Sequence, residues 1–400
     1  MKKMNYGIKH NFNIERINNG NPIIAPRGNG WESGVTFNSA VVRLERSEAN
    51  DPLILNLLEK NSFEKNELEQ GIVALLYRAR PAKDPGYRWT RSYIGLALFT
   101  PDFQLLKRYD DPVMMPGKCK KDCDYLGVED PRITQIDGYF YAVYCGLSEE
   151  PIFKHGNCLA RSKDLINWEK LGSVKGLDNF RYNKDGVLFP DKIKGHYLLM
   201  HRPMSDHIPL SEFAIEIAMS SDINGVWKNC GKVMRPYENP NYADYKIGAG
   251  SVPIHLGNLN YLVIYHTGSY LEPGNHATCQ YDLHAAIFDM NKFDSKEPHK
   301  IVEKRIEPIM VPETKIEIDR LFADSVGNVI FTCGSYEYDG YIYIIYGGGD
   351  SFILAARIKK SELLDCLEKK DNSNPYLCSK IRMQEYQKHK AKRDGQKCCE

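Results

Sequence analysis

Residues 127–144 read GVEDPRITQIDGYFYAVY. Two adjacent acids, Glu129 and Asp130, open a short apolar strand. A turn containing Gly138 follows, and an aromatic-rich strand returns. Glycine at the turn supplies the positive φ that a tight hairpin needs. A carboxylate pair and a cation, Arg132, thus stand at the mouth of a strand otherwise built for burial.

The hairpin recurs. LFPDKIKGHYLLMHRP (188–203), VPIHLGNLNYLVIYHTG (252–268) and VIFTCGSYEYDGYIYIIYGGGD (329–350) have the same layout. GIVALLYRAR (71–80) and SYIGLALFT (92–100) form an earlier pair with a longer connection. After most of them comes a third strand rich in small residues: NCLARSKDL, FAIEIAMSSDI, LHAAIFDM and FILAARIKK. The repeat is roughly 60 residues, a period that signals radial repetition of four-stranded antiparallel blades. The reading is all-β: a five-bladed β-propeller over residues 1–360, with a C-terminal helix and polar tail over 361–400.

Bulk properties narrow the function. Of 400 residues 42% are hydrophobic, enough for a substantial core, and the net charge is +1 with acids and bases interspersed. No basic stripe points to nucleic acid. The start, MKKMNYGIKHNFNIERINNG, has no apolar run behind its lysines and does not read as a secretory signal. No stretch of about 18 apolar residues predicts a membrane span. Eleven cysteines are scattered without a C-x-x-C pattern, which reads as reduced thiols in a cytoplasmic protein, with Cys145, Cys158 and Cys333 buried in strands. No metal site is apparent. The 25 tyrosines suit strands and also sugar-binding surfaces, because the ring has an apolar face and a polar tip.

Two turns, SKDLINWEKLG (162–172) and SSDINGVWKNCG (220–231), share an Asp and a Trp. The Asp is expected to cap the turn and the Trp to pack between blades. LLEKNSFEKNELEQ (57–70) is polar and helix-prone, an insertion between strands. The helix SELLDCLEKK is a candidate interface for self-association, and the oligomeric state stays open.

In a propeller, polar residues at the ends of innermost strands line the central channel, so position selects the candidates. Five clusters qualify: Asn38 with Ser39; Arg78 and Arg91; Glu129, Asp130 and Arg132; Lys184, Asp185, His201 and Arg202; and Tyr265, His266 and Asp350. A glycosidase of the usual kind needs two carboxylates flanking the bond. Here many cations surround one acidic pair, which suggests that an anion binds. Phosphate suits Arg and Lys donors. A phosphate nucleophile arrives ionised, so one protein acid suffices.

These motifs also resemble a known family. FNSA (37–40), LLYR (75–78), GVEDPRI (127–133), KDGVLFPDKIKGHYLLMHRP (184–203), IGAGSVPI (247–254), YLVIYH (261–266) and YGGGD (346–350) occur in that order between about Asn21 and Arg357. The ordered set resembles glycoside hydrolase family 130, inverting mannoside phosphorylases and some mannosidases on a five-bladed propeller. The resemblance implies that Asp130 is the general acid, its proton travelling through the 3-hydroxyl of the bound mannose. It implies that Asn38, Ser39, Arg78 or Arg91, and Asp350 hold the sugar and that Tyr265 walls it; Glu129, beside the acid, is expected to orient hydroxyls or tune its neighbour. It implies that Lys184 and His201 hold phosphate, the co-substrate, with no cofactor; Arg202, one of the clustered cations, is expected to bind phosphate with them. The substrate is then a small β-linked mannoside.

One departure matters. The family's phosphorylases also use arginines on the blade after the acid motif, where this chain has Asn157, and Glu169 or Lys170, behind an insertion, SEEPIFKH (148–155). Glu216, on a candidate inner strand, could then activate water and make the chain a β-mannosidase. A non-catalytic sugar-binding propeller is the third reading, and the many ionisable groups at one face argue against it.

Overall fold

The structure, a computed structural model, describes residues 12–87, 90–151, 153–205, 212–236, 245–270, 279–322 and 325–369. It is mostly β, with few and short helices. The polar tail from residue 370 lies outside the described residues.

After a short strand β1 (Ile14–Arg16), the strands fall into five consecutive groups. The first is β2 (Val35–Leu44), β3 (Ile72–Arg80), β4 (Tyr93–Phe99) and β5 (Leu105–Arg108). The second is β6 (Gly127–Ile136), β7 (Tyr139–Ser148), β8 (Lys154–Ser162) and β9 (Glu169–Ser173). The third is β10 (Tyr182–Leu188), β11 (Tyr197–Met204), β12 (Ile215–Ser220) and β13 (Lys228–Met234). The fourth opens with two short pieces, β14 (Tyr245–Ala249) and β15 (Ile254–Gly257), that share one partner, β16 (Asn260–Tyr270), and continues through β17 (Cys279–Asp289) and β18 (Val302–Met310). The last is β19 (Ile330–Tyr338), β20 (Tyr341–Gly348) and β21 (Phe352–Lys359), and β1 pairs antiparallel with β21 to complete it.

Within each group neighbours in sequence pair antiparallel. The hairpin turns read from the sequence carry the left-handed backbone they require. Asp137–Gly138, Lys194–Gly195 and Asp339–Gly340 all have φ between 48° and 80°, the signature of tight hairpins whose twist matches their strands. Second and third groups are joined by a single parallel bridge from Tyr182 to His155.

The core lies between the groups. One apolar cluster joins the first and second groups, with Leu76, Leu96, Val128 and Tyr144. Others join second to third, third to fourth and fourth to fifth. A further one sets Val73, Leu75 and Tyr77 of the first group against Tyr336, Tyr343 and Ile345 of the last. Alternating side chains on each strand explain this, since both faces of every sheet meet a neighbour.

The two Asp–Trp turns behave as expected. Asp164 accepts from the backbone N–H of Ile166 and Asn167, and Asp222 from that of Asn224. Trp227 is buried, and Trp168 packs against the first cluster. Cys145, Cys158 and Cys333 are buried thiols. The expected helix at 57–70 is displaced. The helix α1 spans Asp51–Leu58, started by Pro52 and ended by Glu59 in a left-handed conformation. Proline favours the first turn of a helix. The chain then runs through turns, so the polar stretch after Glu59 is not helical. A short helix α2 (Lys315–Ile318) has a capping box from Thr314 to Glu317. The C-terminal helix α3 (Lys360–Lys369) turns Leu363 and Leu367 into the core beside β18 and β21. Its apolar face therefore packs within the chain. No helix among the described residues is long and apolar enough to cross a membrane.

Candidate active site

Among the first strands of the groups, β2 lies against β6 and β19, β6 against β10 and β19, and β10 against β14. In three of them the pairing register slips at one polar residue: Asn38 in β2, Asp130 in β6 and Asp185 in β10. Their φ values are 48°, 50° and 58°. Asn and Asp tolerate this left-handed backbone better than other side chains. A bulge re-aims the side chain, so each strand turns one polar group out of its alternation. Asp350, at the β20–β21 turn, has φ 48°.

These turned-out groups converge. Asn38 Nδ2 donates to Asp130 Oδ1 at 2.8 Å. Arg78 Nη1 donates to the same oxygen at 2.9 Å, Nη2 pairs with Glu129, and Nε donates to Ser92 Oγ at 2.8 Å. The Arg78 guanidinium lies 4.4 Å from the centre of the Phe37 ring. Lys184 Nζ stands 3.5 Å from Glu129 Oε2. Asn38, Arg78, Glu129 and Asp130 are all buried. Charge-assisted bonds of this kind, in a site of low dielectric, fix geometry firmly.

The two aspartates of this centre differ in proton affinity. Burial works to raise that of Asp130, but the positive charges of Arg78, Arg132 and Lys184 and the Asn38 bond outweigh it, so its carboxyl titrates below the usual range. Asp350 is pushed up to about 6, first by burial and then by the Asp130 and Glu129 charges, against Arg78 and Arg80. Burial opposes the charge on Lys184, and Cys145, Glu129 and Asp130 outweigh it, so its ammonium is held above the ordinary range. Neighbouring acids with divergent proton affinities are a mark of functional sites.

A second buried set supports the first from below. Arg132 Nη2 reaches Asp185 Oδ1 at 3.3 Å, and its other nitrogens donate to the carbonyls of Gly250 and Asp130, each at 3.1 Å. Arg202 Nη2 lies 2.9 Å from Asp185 Oδ2, and His266 Nε2 lies 3.4 Å from it. Asp185 titrates far below its usual range because the Arg202 and Arg132 charges and the His266 contact overcome burial, and burial in turn pulls the proton affinity of His266 down to about 4. Space here is tight: a Cβ on Gly248 would stand 2.2 Å from Asp185 Oδ2.

The remaining sequence candidates make contacts of their own. Ser39 is buried and bonds locally to the Ala40 carbonyl at 2.9 Å. Arg91 pairs with Asp84 at 2.9 Å on the loop between β3 and β4. His201 is buried, with Nδ1 3.1 Å from Asn183 Oδ1, and burial pulls its proton affinity down to about 4. Arg202, the cross-strand partner of Lys184, pairs with Asp185. Tyr265 is fully buried, stacked on His284, and receives a hydrogen bond from Arg305 Nε at 3.2 Å. Glu216 is not on an inner strand. It lies on β12, the third strand of its group, accepts from Asn229 Nδ2 at 2.6 Å, and faces His201 across the sheet. The reason is the hairpin order, which places β10 innermost and β12 two strands outward.

Two residues not read as site candidates reach the centre. Cys145 and His155 place Sγ and a ring nitrogen within 4.8 Å of Glu129. These donors do not suit a cation, because both Glu129 oxygens already face Arg78 and Lys184. Their signal was the cross-strand register, Glu129 with Cys145 and Leu147 with His155, which only pairing reveals.

Residues 67–369 match the profile of a family described as beta-1,4-mannooligosaccharide phosphorylase. The chain belongs to glycoside hydrolase family 130. A 1,2-beta-oligomannan phosphorylase of Thermoanaerobacter sp. (strain X514) is 30% identical over 345 residues, covering 86% of this chain and 96% of that one. A beta-1,2-mannobiose phosphorylase of the same organism is 32% identical over 353 residues, covering 88% and 99%. The solved beta-1,2-mannobiose phosphorylase of Listeria innocua, bound to beta-1,2-mannobiose, superposes with a TM-score of 0.65 at 24% identity over 90% of this chain and 100% of that one, which shows a shared fold. This family 130 chain keeps the E-D-P-R motif at Glu129–Arg132, inside the cluster described above.

Proposed function

We propose that this protein catalyses inverting phosphorolysis of β-mannosides. The mannosyl unit passes to inorganic phosphate, giving α-mannose 1-phosphate and a shortened sugar. The observation that carries the reading is Asp130, held by Asn38 and Arg78, with the Lys184 ammonium one carboxylate away. The similar phosphorylases support it, and two of them are named for β-1,2 linkages, so that linkage is the first to test.

Asp130 serves as the acid. Phosphate attacks the anomeric carbon from the face opposite the leaving oxygen, and the carbon–oxygen bond breaks as Asp130's proton reaches that oxygen, through the mannose 3-hydroxyl. Without phosphate the carboxyl of Asp130 titrates below the usual range. A phosphate dianion drawn to Lys184 offsets the positive field on Asp130 and raises its proton affinity, so co-substrate binding itself arms the acid. Asn38, Arg78, Glu129 and Asp350 hold the mannosyl hydroxyls, and Lys184 holds phosphate. Glu216, bonded to Asn229 on an outer strand, gives no support to the hydrolytic alternative.

The architecture we infer is a closed five-bladed propeller over 1–360, followed by the helix and tail of 361–400. The five apolar clusters between successive groups support closure, as does the completion of the last group by β1. We infer a cytoplasmic location from the scattered spacing of the cysteines along the sequence.

The test is a product assay. The purified protein is incubated with β-1,2- and β-1,4-linked mannosides, with and without phosphate. Phosphate-dependent α-mannose 1-phosphate is expected. Free mannose at the same rate in both conditions would overturn the assignment.

A further inference from the structure

Two loops beside the carboxylate centre carry an aromatic pair that the mechanism above leaves unused. Tyr87 lies between β3 and β4, and Tyr125 lies just before β6. Their ring centroids are 6.0 Å apart with planes tilted by 56°, and their hydroxyls are 3.4 Å apart. Both rings are only partly buried, whereas Tyr77, Tyr144, Tyr261 and Tyr346 are sealed in the core. Arg91 backs Tyr87, its guanidinium 3.6 Å from the ring centre. Asp84 fixes that guanidinium at 2.9 Å, and Tyr93 Oη receives a hydrogen bond from it at 3.3 Å. Arg91 is thus a clamp on an aromatic ring, not a member of the buried cluster.

The pair is fastened to the centre. Ser92, next to Arg91, accepts from Arg78 Nε at 2.8 Å, and its carbonyl accepts from Val128 N at 3.0 Å. Gly127 packs so closely that a Cβ there would lie 3.1 Å from Ser92 N. The loops therefore hang from the two strands that carry Arg78 and Asp130.

We propose that Tyr87 and Tyr125, with Arg91 behind Tyr87, form the subsite for the leaving sugar. The inference rests on the phosphorolysis reading. A pyranose offers an apolar C–H face to a ring and hydroxyls to polar edges, which a tilted tyrosine pair matches. The mannosyl unit must reach buried Asp130, so the sugar that departs lies outward of it, and these partly buried rings hang from the strands that carry Arg78 and Asp130. Arg91 fixes the Tyr87 ring and so lowers the cost of ordering it on binding.

Running the reaction backward separates the two sugars. The probes are α-mannose 1-phosphate as donor and mannose or β-1,2-mannobiose as acceptor. Tyr125→Ala is expected to raise KM for the acceptor by about three- to tenfold, the size of a stacking contact, while KM for α-mannose 1-phosphate stays within about twofold. Tyr125→Phe, which keeps the ring, is expected to stay near wild type. The unfolding temperature of Tyr125→Ala is expected to be unchanged. An unaltered acceptor KM, or equal rises in both constants, would overturn the subsite, as would a fall in unfolding temperature that accounts for the loss. Failure of the unaltered protein to join the two sugars, with mannose released without phosphate, would instead overturn the phosphorolysis reading beneath it.

Discussion

Arg78 Nη1 donates to Asp130 Oδ1 at 2.9 Å, while its Nη2 pairs with Glu129. One guanidinium from the first strand group thus spans both acids of the second. The fork geometry of arginine fits two carboxylates at once, which a lysine ammonium cannot do. Arg78→Lys is expected to lower kcat/KM by about 100-fold or more, because Asp130 loses its orientation. Steady-state kinetics measure this, and a variant within about threefold of wild type would contradict it.

Asp130→Asn keeps the shape of the side chain and removes its proton chemistry. Turnover is expected to fall by about 10²- to 10⁴-fold, the usual worth of a positioned acid. Sugar binding, followed by calorimetry, is expected to survive. Near-normal rates would remove Asp130 from the role of acid.

Lys184 faces Glu129 at 3.5 Å and is held in its charged form. Lys184→Ala is expected to raise KM for phosphate about tenfold or more, with a much smaller change in KM for the sugar. Equal effects on both would place the ammonium on the sugar instead.

Asp350 gives a pH signature. Its carboxyl is pushed up to about 6 in the folded chain, so the folded state binds this proton more tightly than the unfolded one. The stabilisation is therefore present at low pH and is lost as the pH rises through about 6. Asp350→Asn cannot ionise. It is expected to be more stable than wild type above pH 6, the gap closing toward about pH 4 by no more than roughly 1.4 kcal/mol per pH unit. Denaturant melts across that range measure it, and the kcat/KM profile of wild type is expected to show an ionisation near 6 that the variant lacks.

Asp185 sits among Arg132, Arg202 and His266. Removing it leaves buried cations without a counter-charge, which costs about 3–5 kcal/mol. Asp185→Ala is expected to lower the unfolding free energy by that amount, and a loss under about 1 kcal/mol would show that the cations relax to solvent.

Much of this was legible in the sequence because it depends on neighbours along the chain. Strand, glycine turn and aromatic strand repeat at a fixed interval, and the turn residues must adopt positive φ wherever the fold places them. Asn38, Arg78, Glu129, Asp130 and Lys184 could be singled out because each lies beside an apolar strand that leaves no other reason for a polar group. The helix near residue 57 was misplaced because composition resembled a helix, whereas Pro52 and Glu59 set its ends.

Sequence by itself determined the repeated all-β units, the turns and the polar candidates beside the apolar runs, since these follow from local backbone chemistry and two-residue alternation. Tertiary structure alone decided which of those residues meet. Arg78 reaches Asp130 across a gap of 52 positions and Arg132 reaches Asp185 across 53, while His201, Tyr265 and Arg91 are drawn to partners of their own. The physical reason is that a bulge in one strand and the register of its neighbour together aim a side chain, and register is settled by packing between sheets, which no single stretch of sequence encodes.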